Sequence, residues 1–73
     1  MNIVVYTKKT CHYCLSAKVW LDARKYKYQE ISLDDPADHK AFKEANPTLK
    51  TVPQIFVDGD NIGGFTELLR SNL

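Results

Sequence analysis

The sequence predicts an α/β fold: one mixed four-stranded sheet flanked by helices, in the order β-α-β-α-β-β-α. Three observations carry that prediction. A β-branched and aromatic run near the N-terminus is followed by a helical stretch and then an alternating segment, the pattern of a right-handed parallel crossover. Asp58-Gly59 separates two later runs and is a two-residue hairpin signal, because both central positions need positive φ. The chain has only 73 residues, room for one domain spanning 1–73, with no repeat, linker or low-complexity segment.

Asn2 to Thr7 (NIVVYT) reads as a short buried strand. Cys14 to Lys25 carries Leu15, Ala17, Val19, Trp20, Leu21 and Ala23 with no Gly or Pro, and predicts a helix. Arg24 and Lys25 suit the negative end of its dipole. Lys27 to Leu33 sets Tyr28, Glu30 and Ser32 against Lys27, Gln29, Ile31 and Leu33, a second strand. Asp35 before Pro36 is a cap followed by a residue suited to the first helical position, and Asp38 favours the positive dipole end. This helix runs through Phe42 and Ala45 and stops at Asn46-Pro47, since the residue before Pro avoids the α region. Val52 to Val57 is a third strand; Pro53 cannot donate a ladder bond and belongs at its start. Asp60 to Ile62 is a short fourth strand. Gly63-Gly64 breaks the pattern, and Thr66 to Leu73 forms a last helix.

Composition excludes several function classes. Ten basic residues face nine acidic ones, a net charge of +1, with no basic run beyond Lys8-Lys9, so no nucleic acid is expected as partner. No stretch approaches the roughly 18 apolar residues of a membrane span. The start MNIVVYTKK lacks a basic region before a long apolar run, so no signal peptide is expected and the reading is cytoplasmic. There are two cysteines, whereas a small secreted scaffold usually has about four to eight. A pair spaced C-x-x-C without an export signal points to cytosolic redox or metal chemistry.

The pair is Cys11-His12-Tyr13-Cys14, at a strand-to-helix junction. Cysteines three apart at a helix start lie about one turn apart, within reach of a disulfide. Cys11 would sit at the N-terminus, where free N–H groups and the positive dipole end favour its thiolate. Lys8, and His12 when protonated, would add to this. Cys11 is therefore read as the attacking nucleophile and Cys14, hidden in the first turn, as the resolving thiol. The bland alternatives are two inert buried cysteines or a zinc site. Zinc wants four ligands, and Cys11, Cys14, His12 and His39 are the only soft candidates, with no second C-x-x-C. No metal is expected.

TKKTCHYC after an apolar strand, then TVPQIFVDG, then IGGF, in this order and spacing, resembles a glutaredoxin over essentially the whole chain. The resemblance implies a thioredoxin fold. It implies glutathione-dependent reduction of protein disulfides and glutathione mixed disulfides, with a potential of about −200 to −230 mV. It implies that Lys8 helps hold the glycine carboxylate of glutathione and that Tyr13 lines the site. Thr51, Val52 and a cis Pro53 would pair with the backbone of the glutathione cysteine. Gly64, Phe65, Thr66 and Glu67 would take the γ-glutamyl end near a helix N-terminus.

Here the sequence departs from the family pattern in places. His12 replaces the usual Pro and is a candidate for tuning Cys11. Thr66 and Glu67 replace a Ser/Asp-Asp pair, and many members continue for another helix past the position of Leu73. Members lacking that Pro include binders of a glutathione-ligated [2Fe–2S] cluster bridging a dimer, which is one alternative. A redoxin fed by thioredoxin reductase is the other. A monomer is expected, with disulfide-containing or glutathionylated proteins as substrates, a ribonucleotide reductase among them by family analogy. Trp20 is read as packing, and Lys50 either touches glutathione or is solvated. His39 and the Lys40, Lys43, Glu44 face are read as solvated.

Overall fold

The computed structural model describes all 73 residues. The elements are β1 (Ile3–Thr7), α1 (His12–Ala23), β2 (Gln29–Ser32), α2 (Pro36–Ala45), β3 (Gln54–Val57), β4 (Asp60–Gly63) and α3 (Phe65–Arg70). They form one four-stranded sheet in the order β2-β1-β3-β4. β1 runs parallel to β2 and antiparallel to β3, and β4 returns antiparallel beside β3. The element order and mixed sheet are those the sequence predicts.

Alternation along β1 divides the side chains between two layers. Ile3, Val5 and Thr7 are buried. Ile3 and Val5 join Ala17 and Leu21 of α1, Ile55 of β3 and Leu68 of α3 in the main core. Tyr6 faces the other way, 4.6 Å from the Phe42 ring of α2 and 5.5 Å from that of Phe56. So α1 and α3 cover one face of the sheet and α2 the other. Each fully buried Leu or Ile contributes about 1.5–3 kcal/mol, and losing one is costly in so thin a core.

Several boundaries differ from those the sequence predicts. α1 starts at His12, not Cys14, because Cys11 itself is the N-cap. It ends at Ala23, not Lys25. Lys25 takes φ 62, and its N–H bonds to the Asp22 carbonyl at 3.0 Å. The Tyr26 N–H bonds to the Leu21 carbonyl, also at 3.0 Å. That pair of bonds is a Schellman closure with Lys in the position glycine usually holds. The second strand shrinks to Gln29–Ser32 and the third starts at Gln54, after Pro53, which has no N–H to give. α3 ends at Arg70, where the Ser71 hydroxyl and N–H both donate to the Leu68 carbonyl, at 2.6 and 3.1 Å. Lys43 is also corrected: it is half-buried, and its ammonium donates to the Leu49 carbonyl at 3.1 Å.

Elsewhere the local signals hold. Asp58 (φ 51) and Gly59 (φ 88) both take positive φ in the β3–β4 hairpin. The Asp35 carboxylate caps α2, accepting the N–H groups of Ala37 and Asp38 at 2.9 and 3.0 Å. The Trp20 ring stacks on Tyr26 with the Arg24 guanidinium 3.8 Å above it, a packing role.

Candidate active site

β1 ends at Thr7, and residues 8–10 carry the chain to Cys11 at the head of α1. That loop is held from the β2 side: the Lys9 N–H donates to the Asp34 carboxylate at 2.7 Å, which also accepts the Ser32 hydroxyl at 3.1 Å. Cys11 keeps an extended backbone (φ −127, ψ 107), and its Sγ accepts the N–H of Cys14 at 3.1 Å. The sulfur thus fills the place of the Ser or Asp oxygen at an ordinary helix N-cap. No acidic side chain occupies the first turn of α1, so nothing there opposes negative charge on Cys11.

Cys11 and Cys14 are joined as a disulfide with their Cα atoms 5.2 Å apart. Cys11 is half-buried while Cys14 is only 2% exposed. An incoming thiol or disulfide therefore reaches Cys11. Reduction leaves its thiolate facing the helix dipole and an amide donor, both stabilising.

The second part of the site arrives from 41 residues away. The Val52 carbonyl oxygen lies 3.6 Å from Cys11 Sγ, and the Val52-Pro53 bond is cis. Thr51 is exposed beside it and Pro53 is buried. This segment is held by a residue that sequence reasoning missed. Gln54 is 6% exposed, and its amide donates to the Thr51 carbonyl and hydroxyl at 3.0 and 3.2 Å. Its own oxygen accepts the Asn61 amide at 3.1 Å. The only signal for it was a polar residue at the start of an otherwise apolar strand.

The Gly-Gly segment makes the third part. Gly64 lies so close to the Thr51–Pro53 segment that a Cβ there would come within 3.2 Å of the Pro53 carbonyl oxygen. Phe65 stacks on Tyr13 at 6.3 Å, linking the start of α3 to the cysteine loop. The Glu67 carboxylate folds back to accept the Gly64 N–H at 2.7 Å, half of a capping box whose other half a glycine cannot supply. Thr66 and Glu67 are exposed.

The fold thus gathers Cys11, Cys14, Tyr13, Val52, Pro53, Gly64 and Phe65 at one end. Lys8 reaches it at the rim of a hollow of about 60 Å³ shared with Lys50, Thr51 and Val52. His12 is exposed at the first position of α1, and His39 is exposed on α2. Behind the cysteines, the Thr7 hydroxyl donates to Glu30 at 2.6 Å and Lys18 pairs with the same carboxylate at 3.1 Å. The Thr7 hydrogen bond is the largest cause holding Glu30 below the usual carboxylate range; partial burial opposes it and Lys18 adds to it. No group of three or more His, Cys, Asp or Glu side chains gathers to hold a metal.

Residues 3–62 match the family model described as glutaredoxin. Glutaredoxin 3 of Escherichia coli K12 is 39% identical over 67 residues, covering 92% of this chain and 81% of the relative. Among solved structures, glutaredoxin 1 from Francisella tularensis superposes with TM-score 0.80 at 36% identity, covering 94% of this chain and 88% of that one. A buckwheat glutaredoxin–glutathione complex superposes with TM-score 0.78 at 32% identity, covering 93% of this chain and 64% of that one.

Proposed function

The chain belongs to the glutaredoxin family and is a thiol–disulfide oxidoreductase, and on that premise we propose that glutathione is its reductant. The observation that carries the reading is the position of Cys11 Sγ, capped by the Cys14 N–H on one side and 3.6 Å from the Val52 carbonyl on the other. A backbone segment lying along Thr51–Val52 would bring its own sulfur to that point. The Lys8 ammonium suits one carboxylate of a small anionic peptide. The start of α3, half-buried at Gly64 and exposed at Thr66, suits the other end. A related glutaredoxin of the same fold has been solved with glutathione, which supports the assignment.

In the proposed cycle the Cys11 thiolate attacks one sulfur of a disulfide, and the other sulfur leaves as a thiolate. With a glutathionylated protein, Cys11 takes the glutathionyl group. A second glutathione thiolate then attacks that mixed disulfide, giving glutathione disulfide and free Cys11. With a protein disulfide, Cys14 attacks the mixed disulfide at Cys11 and forms the Cys11–Cys14 bond, which two glutathiones reduce. We place the activity in a reducing compartment, the cytoplasm, where such thiols persist. No helix is long and apolar enough to cross a membrane.

The deciding experiment is turnover of a glutathione mixed disulfide with two electron sources in parallel. Glutathione with its reductase should support turnover, and thioredoxin reductase should not. The reverse result would make the protein a thioredoxin-reductase-fed redoxin of the same fold. Once the disulfide is reduced, Cys11 is the more exposed of the two thiols and the one that could ligate an iron–sulfur cluster, so a [2Fe–2S] group would need a second copy and glutathione. Anaerobic reconstitution, read by visible absorption and sizing, tests that alternative.

A further inference from the structure

A cleft of about 820 Å³ opens beside the disulfide on the β2 side. It is separate from the hollow where Lys8, Thr51 and Val52 meet, sharing only Lys8 with it. Cys11 and Cys14 both line the cleft. Sites of roughly 300–1,000 Å³ are usual for bound ligands.

Charge in this cleft is one-sided. Lys8, Lys9 and Lys18 line it against a single acid, Glu30. Lys18 is neutralised by Glu30 at 3.1 Å, which leaves Lys8 and Lys9 uncompensated within the lining. Asp34 lies nearby, but its carboxylate is tied to the Lys9 amide and the Ser32 hydroxyl rather than to an ammonium. One aliphatic side chain, Leu15, stands in the lining, and Val19 extends it along α1 outside the cleft. Leu15 lines the cleft and is 58% exposed, and Val19, one turn further along α1, is 57% exposed. A single exposed Leu is ordinary. Two aliphatic side chains at i and i+4, ending on redox sulfurs beside two free ammonium groups, form a surface with a specific complement.

We propose that this cleft docks the polypeptide of a disulfide-bonded protein substrate, as an extended segment bearing a carboxylate and an aliphatic side chain near its cysteine. Lys8 and Lys9 attract the carboxylate, and the Leu15–Val19 ridge takes the aliphatic group. Glutathione is anionic too, but it has no aliphatic side chain to use that ridge. The inference rests on Cys11 and Cys14 acting as a thiol–disulfide couple, not on the identity of the reductant.

The test is therefore run without glutathione. The protein is reduced, freed of reductant and reacted in single turnover with two cyclic disulfide peptides of equal length. One carries Glu and Leu beside a cysteine, the other Lys and Ser. The acidic–aliphatic peptide should half-saturate at a concentration lower by about threefold or more at low salt, with the gap closing as salt rises. Lys9→Glu should abolish or reverse the preference, and Leu15→Ser should weaken the acidic–aliphatic peptide alone. Both variants should reduce hydroxyethyl disulfide within about twofold of the parent rate. No preference in the parent protein, or an equal loss on hydroxyethyl disulfide, overturns the docking site. Competition by glutathione disulfide that Lys9→Glu removes also overturns it, by assigning the cleft to glutathione. Failure on all three substrates overturns the redox couple itself.

Discussion

The backbone N–H of Cys14 donates to the sulfur of Cys11 across 3.1 Å, so one cysteine of the pair caps the other through its main chain. Replacing the Cys14 side chain leaves that donor in place. Cys11→Ser should abolish all turnover. Cys14→Ser should keep much of the activity on a glutathionylated substrate, where glutathione resolves the intermediate, and lose most of the reduction of protein disulfides. Steady-state rates on the two substrate types check this; equal loss from both substitutions on the glutathionylated substrate would remove the assignment of roles.

Lys8 stands at the rim of the hollow beside Thr51 and Val52. On the glutathione reading, Lys8→Ala should raise KM for a glutathionylated substrate about two- to twelve-fold, the effect of one charge-assisted contact of about 0.5–1.5 kcal/mol. Thermal stability should hardly change, because Lys8 is exposed. An unchanged KM would point to Lys50, which lines the same hollow.

Gln54 fixes Thr51 through two hydrogen bonds from its amide. Gln54→Leu keeps the volume but frees the Thr51 segment and leaves the Asn61 amide without its acceptor. Stability should fall by about 1–3 kcal/mol, measured by urea unfolding. KM for a glutathionylated substrate should rise several-fold while the oxidation rate of the reduced protein by hydroxyethyl disulfide stays close to the parent. Gln54→Glu, which retains an acceptor but not the donor, should show the KM effect as well.

Lys25 occupies the left-handed position of the α1 closure at φ 62. A residue with a Cβ is disfavoured there by about 1–2 kcal/mol, offset in part by the chain entropy of glycine. Lys25→Gly should therefore stabilise the fold by about 0.5–1 kcal/mol. Denaturant midpoints at constant slope would show it; a lower midpoint would contradict the closure described here.

Glu30 has its pKa lowered chiefly by the Thr7 hydroxyl, with partial burial opposing and Lys18 assisting. A lowered carboxylate pKa in the folded state contributes stability that is present above the unfolded value. That stability fades as pH falls from the usual 4.5 through the lower folded value. Comparison of the protein with Glu30→Gln should thus show a gap at neutral pH that closes in acid. The side chain is 37% exposed, so solvent screening keeps the gap to about 1 kcal/mol or less. Thr7→Val should move the Glu30 titration upward by NMR.

Features that depend on neighbours along the chain were legible in the residues alone. The β-branched run before Cys11, the Asp35-Pro36 start, the Asn46-Pro47 stop and the Asp58-Gly59 turn each act within a few residues, and each stands where its local physics puts it. The redox pair was legible for the same reason, since its three-residue spacing at a helix start is a local geometry. The ends of α1 were less so, because a cysteine served as the cap and a lysine closed the helix in place of glycine. Contacts that cross the sheet were set by packing of the elements against one another. Cys11 meets Val52 across 41 residues, Tyr13 meets Phe65, and Thr7 meets Glu30 across 23. The role of Gln54 and the cleft between Lys9 and Leu15 likewise exist only once β1, β2 and β3 have paired and α1 has packed on them. Such contacts leave no periodicity in the chain: they are set by strand register and helix placement, which side-chain order constrains only through the buried core they share.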